Sequence, residues 1–200
     1  STLWLYLLCA ARHTRGYDRG NIPCSESHLV AMNSPNPVPL PAPYSNSRSK
    51  RWGVILAGGD GKRLLPLTRR ITGDDRPKQF CALTGGKTLL DQTRRRVSRM
   101  VPEEQTLLVM TRTHARFFAD QVPDVPALQL LIQPYNHGTA PAIAYSLTRI
   151  RQMDPDGIVA FFPSDHHFAD DKAFAAHIDS AFAQAELHPE RVILLGIAPD

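Results

Sequence analysis

From residue 51 onward the chain predicts an α/β fold, with a mainly parallel sheet covered by helices on both faces. Three observations carry this expectation. Short apolar runs recur at residues 52–57, 106–110, 128–132, 157–162 and 191–197. Helix-sized segments separate them, as crossovers separate parallel strands. A glycine-rich turn follows the first run at once, and in such sheets ligands gather at the carboxyl ends of the strands.

Residues 1–50 differ in character and predict a disordered, proline-rich leader ahead of a domain over 51–200. Pro35, Pro37, Pro39, Pro41 and Pro43 alternate with other residues, a pattern of stiff, extended backbone. The apolar run from Leu3 to Ala10 is too short to span a membrane and has no basic residue before it. Met32 offers an alternative start, which would leave residues 1–31 outside the native protein. The formal net charge of the 200 residues is +4, but the leader holds five Lys/Arg against two Asp/Glu, so the domain carries only +1. A nearly neutral domain argues against a general nucleic-acid surface. With 42% hydrophobic residues it can bury one good core. The three cysteines are odd in number and form no C-x-x-C pair, which suggests a reducing compartment, the cytoplasm.

The elements follow in order. Trp52–Ala57 reads as a buried strand. Thr88–Met100 reads as a helix, with Leu89, Leu90, Thr93, Val97 and Met100 at helical spacing and Arg94, Arg95, Arg96 and Arg99 on a solvated face. Thr106–Met110 is the second strand and Thr111–Ala119 a helix. Leu128–Ile132 is the third strand. Thr139–Met153 is helical, with Ile143, Leu147 and Ile150 on one side. Gly157–Phe162 is the fourth strand. Asp171–Leu187 is a long amphipathic helix that turns Phe174, Ile178, Ala181, Phe182 and Ala185 inward. Arg191–Ile197 is the fifth strand.

Gly58, Gly59 and Gly61 free the backbone to turn sharply and to bring several N–H groups to one ligand. A strand feeding such a turn cradles phosphate, and Arg63 and Lys78 add positive charge beside it. These residues point to a nucleoside triphosphate. The run ending in Gly86-Lys87-Thr88 is not a Walker loop, because position 81 is Cys. A dinucleotide fingerprint fails at Leu64.

Two further motifs lie at strand ends. In Q-P-Y-N-H-G-T-A-P-A-I, from Gln133 to Ile143, Pro134 stops the strand, Gly138 allows a close approach and Thr139 can cap the next helix. Gln133 has a donor and an acceptor, which suits a nucleobase edge. In F-F-P-S-D-H-H, from Phe161 to His167, Asp165 follows an apolar strand toward the same rim as the glycine turn. A hard carboxylate there suits Mg²⁺ bridging triphosphate oxygens. Adjacent His166 and His167 do not read as a zinc site.

What remains at the glycine turn is G-G-x-G-x-R-L-x-P-L-T followed by P-K. It resembles the signature of the sugar-1-phosphate nucleotidyltransferases. The Q-F after the lysine, and P-S-D-H, make it similar to the mannose-1-phosphate guanylyltransferase branch over residues 52–200. The resemblance implies a Rossmann-like three-layer nucleotidyltransferase fold, truncated at its C-terminus, since the family's sugar-binding residues and second metal-binding Asp come later than Asp200. It implies nucleotide binding by Ala57, Gly58, Gly59, Gly61, Gln133, Gly138 and Thr139. It implies that Arg63 stabilises the departing pyrophosphate, that Lys78 bridges the α-phosphate and the sugar phosphate, and that Asp165 holds Mg²⁺. The implied partners are GTP and a sugar-1-phosphate such as mannose-1-phosphate, and a homo-oligomer is compatible with it. Lys62, Leu65 and a long Thr68–Pro77 segment depart from the pattern; that segment is expected to be a surface excursion or part of a lid. Two rivals stand beside this reading. One is a thymidylyl- or uridylyltransferase acting on glucose-1-phosphate, compatible with Q-P and G-T-A. The other is a silent nucleotide sensor, which would have lost Arg63, Lys78 or Asp165.

Overall fold

The computed structural model describes residues 5–10, 50–83 and 86–196. Its strands are β1 (Leu5–Ala10), β2 (Arg51–Leu56), β3 (Thr106–Thr111), β4 (Leu130–Gln133), β5 (Ile158–Pro163) and β6 (Val192–Gly196). Its α-helices are α1 (Leu65–Thr72), α2 (Leu89–Val97), α3 (Ala115–Phe118), α4 (Thr139–Met153) and α5 (Asp171–Leu187). The sheet order is β4-β3-β2-β5-β1-β6. The four strands β4, β3, β2 and β5 run parallel.

The parallel strands separate two apolar layers, as the alternation of side chains along a strand requires. Trp52, Val54, Leu107, Val109, Val159 and Phe161 pack with Ala142, Ile150 and Met153 of α4. On the opposite face Ile55, Leu108, Met110, Ala160 and Phe162 pack with α2 and α5. The result is the Rossmann-like three-layer arrangement. Burying an aromatic or large aliphatic side chain fully contributes about 1.5–3 kcal/mol, and Trp52, Phe80, Phe162 and Phe182 are all fully buried. The Trp52 indole N–H also donates to Asp154 Oδ2 at 2.8 Å, fixing the start of β2 to the end of α4.

The caps explain two helix starts. The Thr88 side chain accepts from the Asp91 N–H, and the Asp170 side chain accepts from the Lys172 and Ala173 N–H groups. α5 buries the five residues expected of it.

Several expectations are corrected. Leu5–Ala10, read as part of a disordered leader, forms β1, which lies antiparallel between β5 and β6; the rest of the expected leader, except Lys50, lies outside the described residues. An apolar run without charge or proline can pair on both edges, so its brevity decides against a membrane span and not against a strand. α1 begins just before Thr68–Pro77, so half of that segment is helix and not excursion. Gly73, at φ 76°, closes the helix in the left-handed conformation. Arg96 does not join the solvated arginine face of α2 but is buried. Thr139 opens α4 without capping it; Gly138 occupies the cap, and Asn136 Oδ1 accepts from the Gly138 N–H at 2.9 Å. Among the described residues no helix is long and apolar enough to cross a membrane.

Candidate nucleotide-binding site

β2 ends at a point fixed by its neighbours. The Ala57 N–H donates to Val109 O at 2.8 Å, and the Ser164 N–H donates to Leu56 O at 3.2 Å. The chain then turns through Gly58–Gly61. Gly58 sits against the end of β3, where an added Cβ would lie 2.8 Å from Thr111 Oγ1 and 3.8 Å from Gln133 Oε1. No side chain fits between the loop and Thr111. Gly61 has φ 62° and begins the 3₁₀ turn Lys62–Leu64 that carries Arg63. That conformation costs an L-residue roughly 1–2 kcal/mol. A Cβ at Gly61 would also lie 3.4 Å from the Lys78 backbone nitrogen, so the loop is stacked directly on the P-K-Q-F segment.

Lys78 opens a second 3₁₀ turn, Lys78–Phe80, whose Phe80 is fully buried. From there its Nζ lies 2.7 Å from Asp165 Oδ2, both side chains being about one-fifth exposed. Asp165 is held just past the end of β5. His166 Nε2 lies 3.7 Å from Asp165 Oδ1. Burial pushes the His166 imidazole below its ordinary pKa; Asp165 opposes this, and Lys78 and Arg96 reinforce it. On the other side of the loop His114 Nε2 lies 3.3 Å from Asp60 Oδ1. Burial lowers the His114 pKa as well, with Asp60 pulling it upward.

The structure thus brings together Ala57, Gly58, Gly59, Gly61, Lys78, Gln133 and Asp165. Arg63 is exposed on the turn that Gly61 starts, and Gly138 and Thr139 are exposed beyond β4, where Gln133 is the last strand residue. A surface groove along α2, lined by Arg94, Arg95, Asp124 and Gln129 among others, contains none of these residues.

Two side chains that hold the glycine loop escaped the sequence reading. Gln79 served there only as part of a motif, and Thr111 only as the end of an element. Both hydrogen-bond to the glycine loop. The Gln79 side-chain nitrogen donates to Ala57 O at 3.0 Å and to Gly59 O at 2.8 Å. The Thr111 hydroxyl donates to Gly58 O at 2.9 Å. Nothing in the local sequence signals a contact across 53 residues.

A metal has limited protein ligation here. Among the described residues no group of three or more His, Cys, Asp or Glu side chains is placed to hold one. Asp165 alone fits a hard cation whose remaining ligands are phosphate oxygens and water, the usual habit of Mg²⁺ in nucleotide sites.

The family profile described as Nucleotidyl transferase matches residues 52–195. Mannose-1-phosphate guanylyltransferase from Escherichia coli K12 is 32% identical over 158 residues, covering 77% of this chain and 32% of that protein. Alginate biosynthesis protein AlgA from Pseudomonas syringae pv. tomato is 34% identical over 150 residues, covering 72% and 29%. A crystal structure described as mannose-1-phosphate geranyltransferase from Thermus thermophilus superposes with a TM-score of 0.56 at 32% identity, covering 69% of this chain and 39% of that one. The chain therefore spans about a third of the length of the curated relatives it matches. Matched across most of its strands and both strand-end motifs, the chain belongs to the nucleotidyl transferase family.

Proposed function

We propose that this chain carries the nucleotide site of a sugar-1-phosphate nucleotidyltransferase that uses GTP and mannose-1-phosphate and forms GDP-mannose. One observation carries the reading: the glycine loop, Lys78 and Asp165 meet at the carboxyl ends of β2 and β5. The name of the Escherichia coli relative favours the guanylyl and mannose assignments over the thymidylyl or uridylyl alternative.

The chemistry asks for positioning and charge neutralisation, with no protein nucleophile. A sugar-phosphate oxygen attacks the α-phosphorus, the bond from that phosphorus to the bridging oxygen breaks, and pyrophosphate leaves with the electron pair. The loop N–H groups hold phosphate oxygens. Arg63 neutralises charge that develops on the departing pyrophosphate. Lys78, in reach of both the loop and Asp165, bridges the α-phosphate and the incoming sugar phosphate. Gln133 reads the base edge, with Gly138 and Thr139 beside it. Asp165 would hold a divalent cation such as Mg²⁺, which would supply further charge neutralisation.

Thermal stability measured with GTP, dTTP or UTP in Mg²⁺ tests the reading. A ligand that binds only the folded state at a hundred times its Kd stabilises it by about 2.7 kcal/mol. Stabilisation by GTP in preference to the others supports the assignment. Preference for dTTP or UTP moves it to the rival sugar pathways, and no response to any nucleotide removes it.

A further inference from the structure

We propose that Gln79 and Thr111 are positioning residues that aim the glycine loop at phosphate, an inference that rests on the nucleotide-site reading above. Three successive carbonyl oxygens, those of Ala57, Gly58 and Gly59, are each held by one of these two side chains. A primary amide has two donor hydrogens. Gln79 spends both on the loop, from a side chain only 3% exposed. Thr111, equally buried at the end of β3, takes the carbonyl between them.

The consequence follows from the planarity of the peptide group. In a trans peptide the C=O of one residue and the N–H of the next point in opposite directions. Holding the carbonyls of Ala57 and Gly59 on Gln79 therefore turns the N–H groups of Gly58 and Asp60 away from it, toward a common side. Holding the Gly58 carbonyl on Thr111 fixes the N–H of Gly59 in the same way. None of these three N–H groups donates to another described backbone group. Neutralising the carbonyls also removes three acceptor dipoles from the reach of a polyanion. Glycine permits this path, but its freedom would spread the loop over many conformations; the two side chains select one. Gly58 fits the same design, since any Cβ would collide with the hydroxyl that holds its carbonyl.

The measurements are the affinities for Mg²⁺–GTP and for inorganic tripolyphosphate, by calorimetry on the whole protein. The variants are Thr111→Val, Thr111→Ser and Gln79→Met, with thermal unfolding run alongside. Tripolyphosphate isolates the loop from base and sugar contacts. Thr111→Val is expected to weaken both ligands about five- to tenfold, and Gln79→Met by more, with Thr111→Ser restoring affinity to within about twofold of wild type. A purely packing role predicts the reverse ranking, because Val matches Thr in shape and Ser does not. Equal affinities in wild type and Thr111→Val overturn the proposal while leaving the nucleotide reading intact. A wild-type protein that binds neither ligand overturns both. If Gln79→Met does not fold, the Thr111 pair decides alone.

Discussion

Two ion pairs of equal length flank the loop between β5 and α5, and their surroundings differ. Lys78–Asp165 and Arg96–Asp171 both close at 2.7 Å. The Arg96 guanidinium lies 4.7 Å from the Phe168 ring centroid and 5.7 Å from that of Phe174, with one nitrogen 3.5 Å from the His166 carbonyl. It binds α2 to the foot of α5 in an apolar seam. Lys78 and Asp165 instead stay partly open to solvent, beside the glycine loop. Distance alone does not tell the two pairs apart. The surroundings do: aromatic faces close one pair, and solvent and a glycine-rich backbone adjoin the other.

The comparison breaks most visibly at Lys78. Lys78→Ala and Asp165→Ala should each lower turnover on the order of 10²- to 10³-fold, the usual loss when one charge contact to a transition state is removed. Their thermal midpoints should fall less than that of Arg96→Ala, because both side chains keep about one-fifth of their surface in solvent, so the partner left behind stays partly hydrated. Steady-state kinetics beside thermal unfolding checks this, and near-wild-type rates in either variant would remove these residues from the mechanism. Arg96→Ala should do the converse. Removing one partner of a buried pair costs about 3–5 kcal/mol, but Asp171 is one-third exposed, so we expect about 2 kcal/mol, read from chemical denaturation. Below its midpoint this variant should bind nucleotide with wild-type affinity. A stable Arg96→Ala with weakened binding would merge the two pairs into one functional unit.

A smaller effect sharpens the contrast on the other side of the loop. The folded-state pKa of His114 is lowered, so the unfolded chain takes up its proton first as pH falls. The stability associated with its neutral form is present above the unfolded value of about 6.5 and is lost as pH falls toward and through the folded value. His114→Gln should therefore flatten part of the stability loss between about pH 7 and 5, measured by urea unfolding, with His166 supplying the remainder. An unchanged slope would mean that His114 is not held neutral. Smallest of all, Gly61→Ala should cost roughly 1–2 kcal/mol from its left-handed backbone, and Gly61→Asn should cost less, because Asn tolerates that region; chemical denaturation of the two variants gives the ranking.

How far the sequence foretold this molecule depends on where each residue's partners lie. α5 was legible because its apolar residues repeat at helical spacing and meet one continuous layer. The glycine loop was legible because the backbone freedom it needs is a property of glycine itself, as the positive φ at Gly61 shows; the crowding of Gly58 by Thr111, 53 residues away, was not legible. α1 was not, because Leu64, Leu67 and Ile71 face outward and only Thr68 is buried, so no inward stripe announces the helix. Arg96 was misplaced because its surroundings come from residues 166–174, some 70 positions away. Gln79 and Thr111 belong to the same class: their chemistry is visible in the sequence, but their targets are not.

β1 has a kinetic consequence. Leu8 pairs with Ala160, about 150 residues later in the chain, and β6 reaches the sheet through β1. Folding slows as contacts become more distant in sequence, so closing this edge of the sheet is a late, long-range event. Until then an uncharged segment, proline-free and six residues long, waits without its partners, the kind of segment that also pairs between molecules. Refolding yield should accordingly fall as chain concentration rises, with the losses starting at the sheet edge farthest from the nucleotide motifs.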